Sequence, residues 1–237
     1  MLHNQKIVII GGSSGIGLET AKQAVALGAG VIIASRSEEK LQKAKESLGS
    51  KASAYTLDIT DEQQVQAFFE KVGTFDHLVV SAAETSGGSF LQTDTAQARK
   101  LFDNKFWGQY YAAKYGATKI STNGSITLFS GVVAYKAMIG SSALGAVNAA
   151  VSNLGQTLAL ELAPIRVNIV SPGIIDTPSR SKMPEDVREN FYSTLADKLP
   201  VKRVGQAKDV AQSVLYLLQN SFVTGTVLHV EGGHILL

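Results

Sequence analysis

Two short stretches of this chain combine residue types and spacings suited to a phosphorylated ligand. The first is IGGSSGIG, residues 10–17, which follows a strand-like run and opens a helical one. Gly11, Gly15 and Gly17 allow a tight turn there. That turn would bring the backbone of Ser13, Ser14 and Ile16 up to a pyrophosphate at the positive end of the helix. The alternative is a turn with no ligand. The second stretch is IIASRSEEKL, where an apolar run ends at Ser35 and Arg36. A carboxylate at that place would hold a ribose 2′-hydroxyl and repel a 2′-phosphate. An arginine instead favours the phosphate, through charge-assisted bonds worth roughly 1.5–3 kcal/mol. The expected cofactor is NADP(H) in preference to NAD(H); a solvated arginine at a helix start is the plainer alternative.

Little else in the chain offers independent chemistry. The four histidines, His3, His77, His229 and His234, form no ligand pair, so no metal site is expected. There is no cysteine, which removes disulfides, thiolate ligands and thiol nucleophiles together.

Elements that would position such residues recur along the chain. β-Branched apolar runs stand at 6–10, 31–34, 53–57, 77–81, 125–129, 165–170 and 226–230. Helical patterns lie between them at 15–28, 37–48, 61–72, 96–117, 141–163 and 207–219. Mostly apolar strands alternating with helices predict a single α/β domain, a Rossmann-like, doubly wound, parallel seven-stranded sheet with helices on both faces. Residues 178–206 show no period and are rich in Lys, Arg, Ser and Pro, and are expected to form a lid over the site. At 237 residues, 45% hydrophobic and 18% charged, the chain can bury a substantial core. A formal charge of +2 without a basic run argues against nucleic acid or a membrane surface as partner. With no signal-like or membrane-length apolar segment, a cytoplasmic protein acting on a small molecule is expected.

Several motifs at mutually consistent spacing then carry a family likeness. GGSSGIG, LDIT at 57–60, SPGIIDT at 171–177 and the segment from RVGQAKDV to VEGGHIL at 203–236 together resemble the short-chain dehydrogenase/reductase family over nearly the whole chain. The resemblance implies that Asp58 and Ile59 frame an adenine. It implies that Ser81, Ala82 and Ala83 replace an asparagine–alanine–glycine turn, and that Pro172 and Gly173 form a cofactor-binding turn after which Ile175 and Thr177 contact the nicotinamide end. It also implies a homodimer or homotetramer, which the small residues of ALGAVNAAVSNLGQTLALELA would permit by close helix packing.

The same alignment exposes a gap. In the family a serine, a Tyr-x-x-x-Lys pair on one helix and an asparagine on the preceding helix carry out the reaction. Without a gap, the tyrosine position falls on Leu144, the lysine position on Asn148 and the serine position on Gly131, next to Ser130. Leu144 cannot move a proton. On the preceding helix DNKFWGQYY puts Lys105 at the asparagine position, with Asn104 one residue away. Lysine and asparagine have thus exchanged helices. Lys105, Ser130 and Asn148 are the candidates for the reaction: Lys105 to polarise a carbonyl or deliver a proton, Asn148 to hold ribose hydroxyls, Ser130 to hydrogen-bond the carbonyl. Tyr135 in the preceding loop is a further proton-donor candidate, and a helix-capping role is expected for Ser141 or Ser142. Met183, Phe191 and Tyr192 are candidate pocket residues. An oxidoreductase with a non-standard site is one reading. A cofactor-holding protein with a sensing or scaffolding role, and a dehydratase or isomerase on the same fold, are the others.

Overall fold

The computed structural model describes residues 2–82, 87–181 and 183–237. Among them, seven strands form one parallel sheet: β1 (Lys6–Ile10), β2 (Gly30–Ser35), β3 (Ala52–Thr56), β4 (Phe75–Val80), β5 (Ile120–Phe129), β6 (Arg166–Pro172) and, after a short pair, β9 (Val227–Val230). Their order is β3-β2-β1-β4-β5-β6-β9, so the direction of winding reverses between β1 and β4. Strand β1 shows why both faces are covered. Ile7 and Ile9 enter one core, with α1 (Gly15–Ala26), α2 (Glu38–Leu48) and α8 (Ala207–Gln219). Val8 and Ile10 enter the other, with α3 (Glu62–Val72), α5 (Gly108–Ala117) and α6 (Ser142–Glu161). Alternation of side chains along a strand, apolar at every position, requires these two layers. The expected fold class is the one observed.

The helix expected over 96–117 is a continuous rod with an internal irregularity. It comprises α4 (Thr95–Phe102), a π-helical turn at Asp103–Trp107, and α5. Residues 178–206, which show no period in the sequence, contain a 3₁₀ turn (Pro178–Arg180), helix α7 (Glu185–Lys198), and strand β8 (Gly205–Gln206), which pairs with β7 (Ile175–Asp176). Helix α7 buries none of its residues fully and therefore has no apolar stripe for a sequence to display. Glu185 and Asp186 in its first turn favour the helix start electrostatically. No helix among the described residues is long and apolar enough to cross a membrane.

Candidate active site

A cavity of about 370 Å³ opens at the carboxyl ends of the strands, where the winding reverses. That is the place at which doubly wound sheets bind ligands. The glycine turn forms its floor. Gly11 has φ +91°, and a Cβ on it would stand 2.5 Å from the backbone N of Ala82; one on Gly17 would stand 2.3 Å from the Gly11 carbonyl oxygen. Only glycine fits at these two positions. The backbone of Ser81 and Ala82 donates to the Ile10 carbonyl at 2.9 and 3.1 Å, which closes the seam between β1 and β4. Ser14 stands at the N-cap of α1 but its side chain does not cap the helix. The helix start, with its positive end, therefore faces the cavity beside Ser13, Ser14, Gly15 and Ile16.

The π turn sets the opposite wall. A wider turn changes which consecutive residues face inward, and here Asn104 and Lys105 both line the cavity. The Asn104 side chain donates to the Lys100 carbonyl at 2.9 Å. Lys105 is 4% exposed, and its Nζ donates to the Ser130 carbonyl at 2.9 Å. Burial with no carboxylate beside it pulls its pKa down to about 8. Fully buried Gln109 fixes this turn to β5. Its Nε2 donates to the carbonyls of Lys105 and Phe129 at 2.8 and 3.0 Å, and its Oε1 accepts the Phe129 N–H at 2.7 Å. Nothing in the sequence around DNKFWGQYY marks Gln109 for that task; it depends on the π turn.

The end of β5 meets α6 at Ser130, Gly131 and Asn148. The Ser130 hydroxyl donates to the Asn148 carbonyl at 2.8 Å and lies 2.7 Å from the Ser152 hydroxyl, which donates to it. It is tied into helix α6 while Ser130 lines the cavity. A Cβ on Gly131 would stand 2.7 Å from the Asn148 Nδ2, so the asparagine side chain occupies the space that a serine there would need. Asn148 is 2% exposed and its Oδ1 is buried without a hydrogen-bond partner. Leu144, one helical turn earlier, lines the cavity with its hydrocarbon. Ser141 stands at the N-cap of α6, where its hydroxyl makes no capping bond; its carbonyl accepts the Gly145 N–H. The expected side-chain cap is absent at Ser141.

At the far end, Ser35, Arg36, Leu57 and Ile59 line the cavity. The Ser35 Oγ is buried without a partner. Asp58 does not line it: its carboxylate accepts the N–H and hydroxyl of Thr60 at 3.0 and 2.8 Å and shapes the turn. Pro172, Gly173, Ile175 and Thr177 line the third side, joined by Ile174, Ser179 and Arg180, which the sequence reading did not single out. Ala83 lies outside the described residues. Tyr135 points elsewhere, its ring edge-on to His229 at 4.6 Å. Phe191 and Tyr192 do not line the cavity; Phe191 carries the Arg180 guanidinium, and the Tyr192 hydroxyl donates to Asp176 at 3.2 Å. Met183 likewise stands outside the lining. His77 is buried between Ser125 and Gln5, its pKa pulled down to about 4 chiefly by that burial, far from the cavity. No cluster suited to a metal ion occurs among the described residues.

The residues present fit a dinucleotide. The floor is a cradle that side chains would fill, and two buried polar atoms without partners, Ser35 Oγ and Asn148 Oδ1, belong to residues at opposite ends of the lining. Of the six such atoms among the described residues, these two belong to lining residues, where a bound ligand would supply the missing partners. Among the described lining residues Arg36, Lys105 and Arg180 are cationic and none is a carboxylate.

Comparison with known proteins agrees with this geometry. A family model described as enoyl-(acyl carrier protein) reductase matches residues 11–234. Carbonyl reductase family member 4 of Xenopus laevis is 33% identical over 233 residues, 95% of each chain. The 3-oxoacyl-[acyl-carrier-protein] reductase FabG of Thermotoga maritima is 33% identical over 248 residues, 99% of each. A solved small-chain dehydrogenase in complex with NADPH is 38% identical, with a TM-score of 0.85 over 98% of this chain and 99% of that one.

Proposed function

The chain belongs to the short-chain dehydrogenase/reductase family, and on that premise we propose that it is an NADP(H)-dependent oxidoreductase acting on a carbonyl or alcohol small molecule, with Lys105 as its proton source. The observation that carries this reading is a buried ammonium in the cavity wall, bonded to one backbone carbonyl and facing no carboxylate among the described lining residues. Bound NADPH would supply the hydride. The glycine turn would hold the pyrophosphate, Arg36 the 2′-phosphate, and the orphaned Asn148 Oδ1 a ribose hydroxyl.

When a carbonyl is reduced, negative charge develops on its oxygen and a proton must arrive there. Tyrosine performs this in the family; Leu144 cannot. The Lys105 ammonium stabilises that charge and then gives up a proton. Burial already weakens its hold on the proton. The Ser130 carbonyl holds the amine in place throughout. In the oxidative direction the neutral amine takes the proton from an alcohol. Residues 178–206 act as a lid, a role supported by the loosely seated α7 and by Ser179 and Arg180 in the cavity lining. A homodimer or homotetramer is supported by exposed apolar side chains, Leu160 on α6 and Phe222 in the turn before β9 among them.

A second reading is a protein that holds the cofactor without turnover. It is favoured by Leu144 in the cavity wall and by a Ser130 hydroxyl engaged with α6. Titration with NADPH and NADH, followed by loss of nicotinamide absorbance across a carbonyl panel, separates the two. Turnover that disappears in Lys105→Met supports the oxidoreductase. Tight NADPH binding with no turnover supports the second reading, and failure to bind either nucleotide removes both.

A further inference from the structure

We infer that the substrate carries an anionic group of the carboxylate class, held by the guanidinium of Arg180 at the lid end of the cavity. This rests on the cofactor reading above and goes further, by naming the chemistry of the molecule that would be reduced. The cavity lining holds three cations and, among its described residues, no carboxylate. Two of the cations have assignments, Arg36 to the 2′-phosphate and Lys105 to the reacting carbonyl. The pyrophosphate has a backbone cradle at the start of α1. Arg180 is left over, and it has no carboxylate partner among the described residues.

Its position suits an anion. Arg180 closes the 3₁₀ turn that leaves Thr177, with its N–H donating to the Thr177 carbonyl at 3.1 Å. Its guanidinium lies over the Phe191 ring, 5.4 Å from the centroid. The contact holds the guanidinium beside α7, and the arginine fork is suited to bidentate recognition of carboxylates. The neighbouring acids are otherwise engaged: Asp176 accepts the Tyr192 hydroxyl, and Glu185 lies 3.8 Å from Arg188. Because Phe191 belongs to α7, an anion bound at Arg180 would also steady the lid helix over the site.

The competing occupant is the cofactor's own pyrophosphate, since Pro178 approaches within 4.0 Å of where a Cβ on Gly15 would stand. Calorimetry distinguishes the two. The probes are benzoylformate, acetoacetate and levulinate, each against its methyl ester, titrated into protein with and without NADP⁺, which binds without reducing them. At least one acid should bind the NADP⁺ complex about tenfold more tightly than its ester. Arg180→Gln should abolish that preference, Arg180→Lys should keep part of it, and neither should change NADP⁺ affinity. The inference is overturned if every acid and ester bind alike, if none binds, or if Arg180→Gln weakens NADP⁺ while leaving the acid preference. Absence of NADP⁺ binding to the unaltered protein would be a failure of the cofactor reading, seen before any probe is added; the acid-to-ester ratio without nucleotide would still test Arg180.

Discussion

Gly131 and Asn148 are matched to each other: a side chain on the first would begin 2.7 Å from the amide nitrogen of the second. On the proposed reading, a serine at position 131 and an asparagine at position 148 exclude each other. Gly131→Ser alone should destabilise the fold by about 1–3 kcal/mol, because the new atoms enter a filled space. Gly131 has an extended backbone, so the cost is steric and not conformational. Removing the obstruction with Asn148→Ala should recover most of it. A urea-denaturation double-mutant cycle measures the coupling; purely additive effects would show that the two side chains do not compete for the same volume.

Lys105 sets the expected pH dependence. Its folded value of about 8 lies below the ordinary 10.5, because burial disfavours the charged form. If the ammonium supplies the proton, carbonyl reduction should fall as pH rises through about 8, and alcohol oxidation should rise through the same point. Lys105→Met should lower turnover by about 10²–10⁴ and abolish that pH dependence. Stability follows the same linkage. Between pH 8 and 10.5 the unfolded chain holds more protons than the folded one, so wild-type stability should increase across that window and the methionine variant should lack the increase. Initial rates and urea midpoints against pH check both.

On the proposed reading, Arg36 divides the two nicotinamide cofactors. Arg36→Ala should weaken NADPH by about tenfold to a hundredfold, the equivalent of a lost charge-assisted bond to the 2′-phosphate. NADH affinity should stay nearly constant, since that nucleotide presents a hydroxyl there. Equal losses for both nucleotides, measured by fluorescence titration, would mean that Arg36 shapes the turn rather than reading the phosphate.

The fold was legible because most strands carry apolar runs and helices recur between them, and Ile7 to Ile10 alone indicate two covered faces. The glycine turn was legible because Gly11 and Gly17 stand where any side chain would collide with backbone. Leu144 was expected at the proton-donor place, and the structure shows it in the cavity lining. The internal geometry of the site could not. One turn of π-helix gives no composition signal, yet it brings both Asn104 and Lys105 to the cavity. The direction of the Ser130 hydroxyl depends on Asn148 and Ser152, one of them twenty-two positions away in the chain. Arg180 lay in a segment without a period, where one cation among several has no distinguishing pattern until the chain is folded.

Gln109 decides whether the π turn can hold Lys105 in place. It satisfies the Phe129 N–H and the carbonyls of Phe129 and Lys105 from a fully buried position. Gln109→Leu has similar size but satisfies none of them, and each buried backbone group left unpaired costs about 1–3 kcal/mol. The variant should therefore lose several kcal/mol of stability, partly offset where the helix reforms ordinary bonds. The cheaper variant for function is Gln109→Glu, which keeps the acceptor for the Phe129 N–H and loses the amide donor. If Gln109 positions Lys105, this variant should shift the pH midpoint of reduction upward, since a nearby carboxylate stabilises the ammonium. A fall in stability with an unmoved midpoint would reduce Gln109 to a packing role and detach the π turn from the chemistry.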